Sequence, residues 1–375
     1  MLEVKQIPLQ KRPLKQFVKF GIDLYRDNSC YVPPLISDDV ETLTPSKNPA
    51  FDYCRAAAFM AYRDGRPVGR IAVLVNDVVN ERSGRKEARF GFVEFIDDRE
   101  VSKALFDAAS DWARQQGMTE LIGPMGFTDM DHEGMLVEGF DEMGTMATIY
   151  NFPYYPEHLE ALGFQKDTDW VEYRIEVPTE IPEKMHRISQ IVRQKYGLRT
   201  IKFTSRRKLK EAYGQALFDL INETYNDLYG YCPLTQRQID YYIDHYLGII
   251  RLDCICIIVD ADDRLVGLGL SMPSLSKALR KSRGRMLPFG WYHLLNGIYG
   301  KNDVVDLLLV AIRKEYQGKG VNALLFDDLI PFFNKEGYRF AESNVELEDN
   351  EMVKAQWQYF NHRQHRRRRA YRRPI

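Results

Sequence analysis

The stretch of this sequence with the most chemical content is VVDLLLVAIRKEYQGKGVNALLFDDLIPFF, residues 304–333. An apolar run of strand character passes through Arg313, Lys314, Glu315, Tyr316, Gln317, Gly318, Lys319 and Gly320 into a segment with helical apolar spacing at Leu324, Leu325, Leu329, Phe332 and Phe333. Two glycines one residue apart let the backbone turn tightly and bring successive N–H groups to one point. There the new helix adds its own free N–H groups and the positive end of its dipole. Such a place takes a phosphate or pyrophosphate. It has neither the GKS/GKT ending of a nucleoside-triphosphate loop nor the GxGxxG of a dinucleotide fold. A plain strand-to-helix turn is the simpler alternative.

Three other stretches carry reactive or charged groups. Residues 123–164 are dense in Gly, Pro, Met, aromatics and acids, and include Asp131, Glu133, Asp141, Tyr150, Asn151, Tyr154 and Tyr155. A carboxylate there could orient a cationic acceptor or take its proton, while the tyrosines read equally well as packing residues with satisfied hydroxyls. Glu342, Asn344 and Glu346 are spaced by two, so on a regular strand they share one polar face. The tail NHRQHRRRRAYRRPI holds seven arginines between Arg363 and Arg373. Anionic lipid headgroups, nucleic acid and a solvated terminal strand are the readings it allows. The run KALRKSRGR followed by PFGWYHLL adds a basic and aromatic surface of the kind interfacial enzymes use. His132, His158 and His293 lack metal-ligand spacing, so no metal is expected, and Cys232 has no activating base beside it.

Positioning these groups requires ordinary globular elements. The chain has 375 residues, 45% hydrophobic and 28% charged, with 52 Lys+Arg against 53 Asp+Glu, which predicts two domains and argues against a bulk polyanion binder. Five cysteines without CxxC pairing exclude a disulfide framework or a zinc site. Two hairpins read alike, Ala58–Val75 around Asp64-Gly65 and Cys254–Met272 around Asp262-Asp263. Each is followed by a strand, a helix and another strand, as if one unit were repeated. EVPTEIPEK, residues 176–184, reads as the linker, giving domains 1–177 and 185–375. A start without a signal-peptide core and no run of membrane-span length lead to the expectation of a cytoplasmic protein.

The loop after residue 312 resembles the GNAT superfamily of acyl-CoA-dependent N-acyltransferases, whose signature is Q/R-x-x-G-x-G/A, matched here by Gln317 and Gly320 and departed from at Asn322. The resemblance covers the second half and more faintly the first, and includes a group of bacterial tandem GNAT-like proteins with the GPM-F, GFD and YN-x-x-YY patterns of residues 123–155. It implies an α+β fold of two tandem units, each a mixed, mostly antiparallel sheet flanked by helices. It also implies that the backbone of Val310, Ile312, Gln317, Gly318, Lys319, Gly320, Val321 and Asn322 holds the pantetheine and pyrophosphate of acetyl-CoA or a longer acyl-CoA. Asp306, Glu342 and Glu346 would flank the cofactor cleft, with Glu346 as the base. Asn350 and Trp357 match the N-x-x-A-x-x-x-Y helix, but an indole stands where tyrosine would serve as the acid, and Tyr359 is the nearest phenol.

In the first half, Ile96 to Glu100 offers acids and no glycine at the corresponding turn, so that copy should not bind CoA. It would instead shape the acceptor site through Asp131, Glu133, Tyr150, Asn151, Tyr154 and Tyr155. The expected reaction is direct acyl transfer from CoA to a small-molecule or lipid amine. No specific nucleic acid is expected. Peripheral contact with the anionic inner membrane face would run through the arginine-rich end. The alternatives are a Fem-like aminoacyl transferase using aminoacyl-tRNA and an acyl-CoA-binding protein without turnover.

Overall fold

The computed structural model describes residues 1–246 and 250–375 of the chain. The first part runs β1 (Leu2–Ile7), α1 (Lys11–Leu24), α2 (Ile36–Thr42), β2 (Cys54–Arg63), β3 (Arg66–Asn76), α3 (Asp77–Ser83) and β4 (Glu87–Phe95). It continues with α4 (Arg99–Gln115), β5 (Glu120–Gly123), β6 (Met135–Glu138), α5 (Tyr154–Ala161) and β7 (Gln165–Glu176). Next come α6 (Glu183–Tyr196), β8 (Arg199–Ile201), α7 (Arg206–Tyr225), α8 (Gln236–Tyr246), β9 (Ile255–Val259) and β10 (Leu265–Pro273). The rest is α9 (Ser276–Ser282), α10 (Gly290–Tyr299), β11 (Val304–Ile312), α11 (Asn322–Glu336), β12 (Phe340–Ser343), β13 (Glu346–Leu347), α12 (Glu351–Trp357) and β14 (His362–Pro374).

Two compact units result, and they are not two contiguous halves. One comprises residues 1–171, 275–294 and 365–375; the other comprises 172–274 and 295–364. The sequence places the division in the linker at 176–184, whereas here it falls inside β7. Two later segments also join the first unit, because their hydrogen bonds are made there. β14 pairs antiparallel with β5, from Tyr371 opposite Gly123 to Pro374 opposite Glu120. Ser276 Oγ donates to the Gly144 carbonyl at 3.0 Å, and the Ile36 N–H donates to the Gly284 carbonyl at 2.9 Å.

In the first unit, Asp64 and Gly65 both take positive φ (50° and 77°), the two-residue turn whose twist suits a hairpin, and β2 and β3 pair from Arg63 opposite Arg66 to Cys54 opposite Asn76. The sheet continues through β4 to β5, where the pairing becomes parallel. α4 buries Val101, Leu105, Phe106, Ala109 and Ala113, residues at helical spacing along one stripe. Each large apolar side chain so buried contributes about 2 kcal/mol.

In the second unit, β9, β10 and β11 form an antiparallel meander, and β11 pairs parallel with β12. The Arg174 to Glu176 end of β7 pairs antiparallel with β12. α7 covers this sheet with Leu209, Leu217 and Leu220, packed on Ile255, Ile257 and Leu268. The α+β architecture and the mixed sheets agree with the sequence reading.

Candidate active site

The site begins where two strands part. β11 and β12 pair in parallel over only four residues, from Val304 opposite Phe340 to Leu307 opposite Ser343. Beyond Leu307, β11 runs on to Ile312 paired with β10 alone, and the register against β10 shifts at Leu308, leaving a bulge. Asn344 ends the shared ladder: its N–H donates to the Leu307 carbonyl and its amide Nδ2 donates to the Leu308 carbonyl, both at 3.0 Å. The last five residues of β11 therefore present a free edge on the side that β12 has left. Val310 is 44% exposed there, and its carbonyl accepts from the Tyr225 hydroxyl at 2.9 Å.

The free edge leads into the loop. Gln317 folds back, its Nε2 donating to the Ile312 carbonyl at 2.9 Å. Gly318 and Gly320 both adopt left-handed φ (71° and 77°), which favours glycine at each. Among the described residues, the backbone N–H groups of Gly318, Gly320, Val321 and Asn322 have no protein partner. They converge on the start of α11. A Cβ on Gly318 would meet nothing within 4 Å, so the space in front of it is open; one on Gly320 would lie 2.8 Å from Ile188 Cγ2. Of the cations, Arg313 is held by Glu223 and Lys314 by Asp227. Lys319 is exposed and stands over the rings of Tyr196 and Tyr316 with no carboxylate partner, so its charge remains available to an anion. This donor set fits a pyrophosphate.

The three candidate carboxylates separate. Asp306 and Glu342 are opposite one another in the β11–β12 ladder, and Glu342 is in turn opposite Arg174 of β7, which it meets at 3.3 Å. Asp306 is 2% exposed and Glu342 6%, so this row lies inside the sheet face. Glu346 does not continue it. The regular strand stops at Ser343, so the shared face expected for Glu342, Asn344 and Glu346 does not form. Instead Glu346 opens the short β13, and both its oxygens accept from the Trp357 indole N–H at 3.1 Å. Burial pushes its carboxyl up to about 7, against the hydrogen bonds from Trp357 and Ser343 that favour the charged form. Trp357 ends α12, whose first turn is capped by Asn350, and is 4% exposed against Tyr173, Phe326 and Phe360. Tyr359 faces elsewhere, with the Lys184 ammonium 4.8 Å from its ring centre. The indole-to-carboxylate contact was invisible in sequence, although eleven residues of separation around a capped helix was the available clue.

The corresponding place in the first unit is closed by the unit's own side chains. There too the parallel strands part early, after Arg89 opposite Ile122. Asp98 caps α4, accepting from the N–H groups of Glu100 (2.9 Å) and Val101 (3.4 Å), and is itself paired with Arg63 at 2.5 Å. A carboxylate of the chain thus sits where a phosphate would dock. The free end of β4 is plugged: the Phe95 carbonyl accepts from the hydroxyls of Tyr154 (2.6 Å) and Tyr155 (3.2 Å), and the Phe95 N–H donates to Tyr155 at 2.9 Å.

The residues expected to shape the acceptor site are bonded as follows. Tyr155 is fully buried and also accepts from Tyr25; the Tyr150 hydroxyl donates to the Phe140 carbonyl; Asn151 is bonded to both the N–H and the carbonyl of Leu136. Asp131 closes a turn by accepting from Phe127 and Thr128. These groups build the first unit. Glu133 lies nearby, its carboxyl raised by burial and then by Asp129.

The arginine-rich end runs largely inside the fold. Six of its seven arginines are buried or half-buried in β14. Arg369 forks onto Asp169 (2.8 and 3.0 Å) and Arg372 onto Asp167 (both 3.0 Å), while Arg366 and Arg368 donate to the carbonyls of Met143 and Ile149.

The two units, one with an open glycine loop and one closed by its own residues at the corresponding turn, have the fold of tandem GNAT proteins. The solved tandem GNAT protein from the clavulanic acid biosynthesis pathway superposes with a TM-score of 0.58 over 100% of this chain and 98% of its own, at 15% identity. In sequence, the chain is 29% identical over 354 residues to protein YghO of Escherichia coli (strain K12), covering 91% of this chain and 88% of that one. It is 27% identical over 307 residues to the bacterial ceramide synthase of Caulobacter vibrioides (strain NA1000 / CB15N), covering 81% and 79%. No family model matches the chain.

Proposed function

We propose that this chain transfers an acyl group from acyl-CoA to a long-chain amine in one direct step, using only the second unit's loop for CoA. The observation that carries the reading is the set of unpartnered N–H groups of Gly318, Gly320, Val321 and Asn322 at the start of α11, with open space in front of Gly318. These donors and Lys319 hold the pyrophosphate, and the free edge of β11 receives the extended arm and offers N–H donors to the oxyanion. The amine nitrogen bonds to the thioester carbon as the C–S bond breaks. Glu346, poised near neutrality, takes the ammonium proton. Trp357 has no proton to give near neutral pH, so water reprotonates the thiolate. The long-chain amine rests on the likeness to a protein named as a ceramide synthase, ceramides being N-acylated long-chain amino alcohols.

Thermal stability across free CoA, acetyl-CoA, palmitoyl-CoA and a mixed-tRNA control tests the donor. A ligand at a hundred times its Kd stabilises by about 2.7 kcal/mol. Incubation of palmitoyl-CoA with a long-chain amino alcohol, followed by mass spectrometry of the amide, tests the transfer. No shift with any CoA refutes the loop assignment. A shift with palmitoyl-CoA and no amide from any amine supports binding without turnover, the reading that Trp357 in the place of a phenolic acid favours.

A further inference from the structure

One surface of the first unit is apolar and positively charged at once. Five of the twelve exposed large apolar side chains among the described residues lie between Met286 and Tyr292. Leu287 is 75% exposed, Phe289 68%, Tyr292 57% and Trp291 47%. Their clustering matters, because isolated exposed apolar residues need no explanation whereas a contiguous patch marks a contact surface. Immediately before them come Arg280, Lys281, Arg283 and Arg285, none of which has a carboxylate partner among the described residues. No acidic residue occurs between Asp263 and Asp303.

The segment is held firmly behind this surface. α9 buries Ala278, Leu279 and Ser282, Ser276 and Gly284 are hydrogen-bonded to Gly144 and Ile36, and the Trp291 indole donates to the Pro288 carbonyl at 2.9 Å, closing the turn that carries Leu287 and Phe289.

We infer that residues 280–292 dock on an anionic lipid bilayer. Free cations suit its phosphates, tryptophan and tyrosine suit the headgroup layer, and Leu287 with Phe289 reach the acyl boundary. Nucleic acid would satisfy the cations and leave the aliphatic side chains in water. The inference stands apart from the transfer reaction, because neither the Gly318 loop nor Glu346 takes part in it.

The test is co-sedimentation of the full chain with vesicles of phosphatidylglycerol and phosphatidylethanolamine, against vesicles of phosphatidylcholine alone, while tryptophan emission is recorded. The wild type should bind the anionic vesicles, weaken with salt, and shift its emission to the blue, and Trp291→Phe should remove that shift. Leu287→Asp with Phe289→Asp should lower binding at least about tenfold, and so should Lys281→Glu with Arg283→Glu, at roughly tenfold for the loss of several basic contacts. Both double variants should keep the thermal shift with CoA, which reports folding and separates this surface from the donor site. Equal binding to both vesicle types, no binding, or unchanged binding in the double variants overturns the inference. So does a wild-type dimer, indifferent to vesicles, that the Leu287 and Phe289 variant dissociates.

Discussion

At the scale of single residues, the site turns on a carboxylate and two glycines. Glu346 is half-buried, and desolvation pushes its carboxyl up to about 7 against the hydrogen bond from the Trp357 indole. The acyl-transfer rate should therefore climb with pH through about 7 and level off above it, and Glu346→Gln should lower kcat by about 10² to 10⁴ while leaving the thermal shift with CoA in place. Because the folded-state value lies above the unfolded one, the favourable contribution of the protonated group is complete below the ordinary carboxylate range and is lost as pH rises through about 7. Glu346→Gln should accordingly gain stability relative to the wild type between pH 5 and pH 8, read as the difference in Tm. Trp357→Phe removes a donor to the charged form, so the inflection of the pH–rate profile should move upward. At the loop, Gly318→Asp places a negative charge in open space at a residue type that tolerates left-handed φ. It should abolish CoA binding, whereas Gly318→Asn should retain most of it. Gly320→Glu is a poorer probe, since its Cβ would press on Ile188.

At the scale of elements, the two copies of one strand-loop-helix unit reached opposite outcomes by filling or leaving open the same position. In the second, the loop after β11 carries Gly318 and Gly320, and α11 begins uncapped by any side chain. In the first, Asp98 caps α4 and tyrosines of α5 satisfy the end of β4. Asp98→Ala should cost about 1 kcal/mol from the lost cap, measured by denaturant unfolding, and should leave CoA affinity unchanged. The acids at residues 97–100 were legible as carboxylates at this turn, and Asp98 is the one that caps α4. The tyrosine plug was not, because Tyr154 and Tyr155 lie some sixty residues from Phe95 in sequence, and only the fold brings a hydroxyl to that carbonyl.

At the scale of the whole molecule, the last strand of the chain completes the first unit. Asp169 shows what it contributes: burial alone would raise its carboxyl, but hydrogen bonds from Arg369 and Lys166 hold it below the usual carboxylate range. Its stabilising effect is thus present above about pH 4 and lost as pH falls through the lowered value. Removing the carboxylate by Asp169→Ala leaves the half-buried Arg369 guanidinium without its carboxylate and should cost about 3 kcal/mol. Deleting residues 365–375 should go further and leave β5 and the start of β7 without the strand between them. The expected readout is loss of the first unit's cooperative melting transition. Among the described residues no helix is long and apolar enough to cross a membrane.

What the sequence by itself determined is the local content: the paired hairpins, the amphipathic helices, the glycine loop at 317–322 and the acidic, glycine-free turn of its counterpart. These follow from side-chain period and from backbone freedom, which act over a few residues. Only the tertiary structure decided that the run from Arg366 to Arg373 is an internal strand matched to Asp167 and Asp169, that residues 275–294 belong with the first unit, and that Glu346 meets Trp357. The physical reason is one of distance: a charge or hydroxyl reads as free until its partner, which for Arg369 is two hundred residues away, is brought to it, and nothing in local spacing announces that partner.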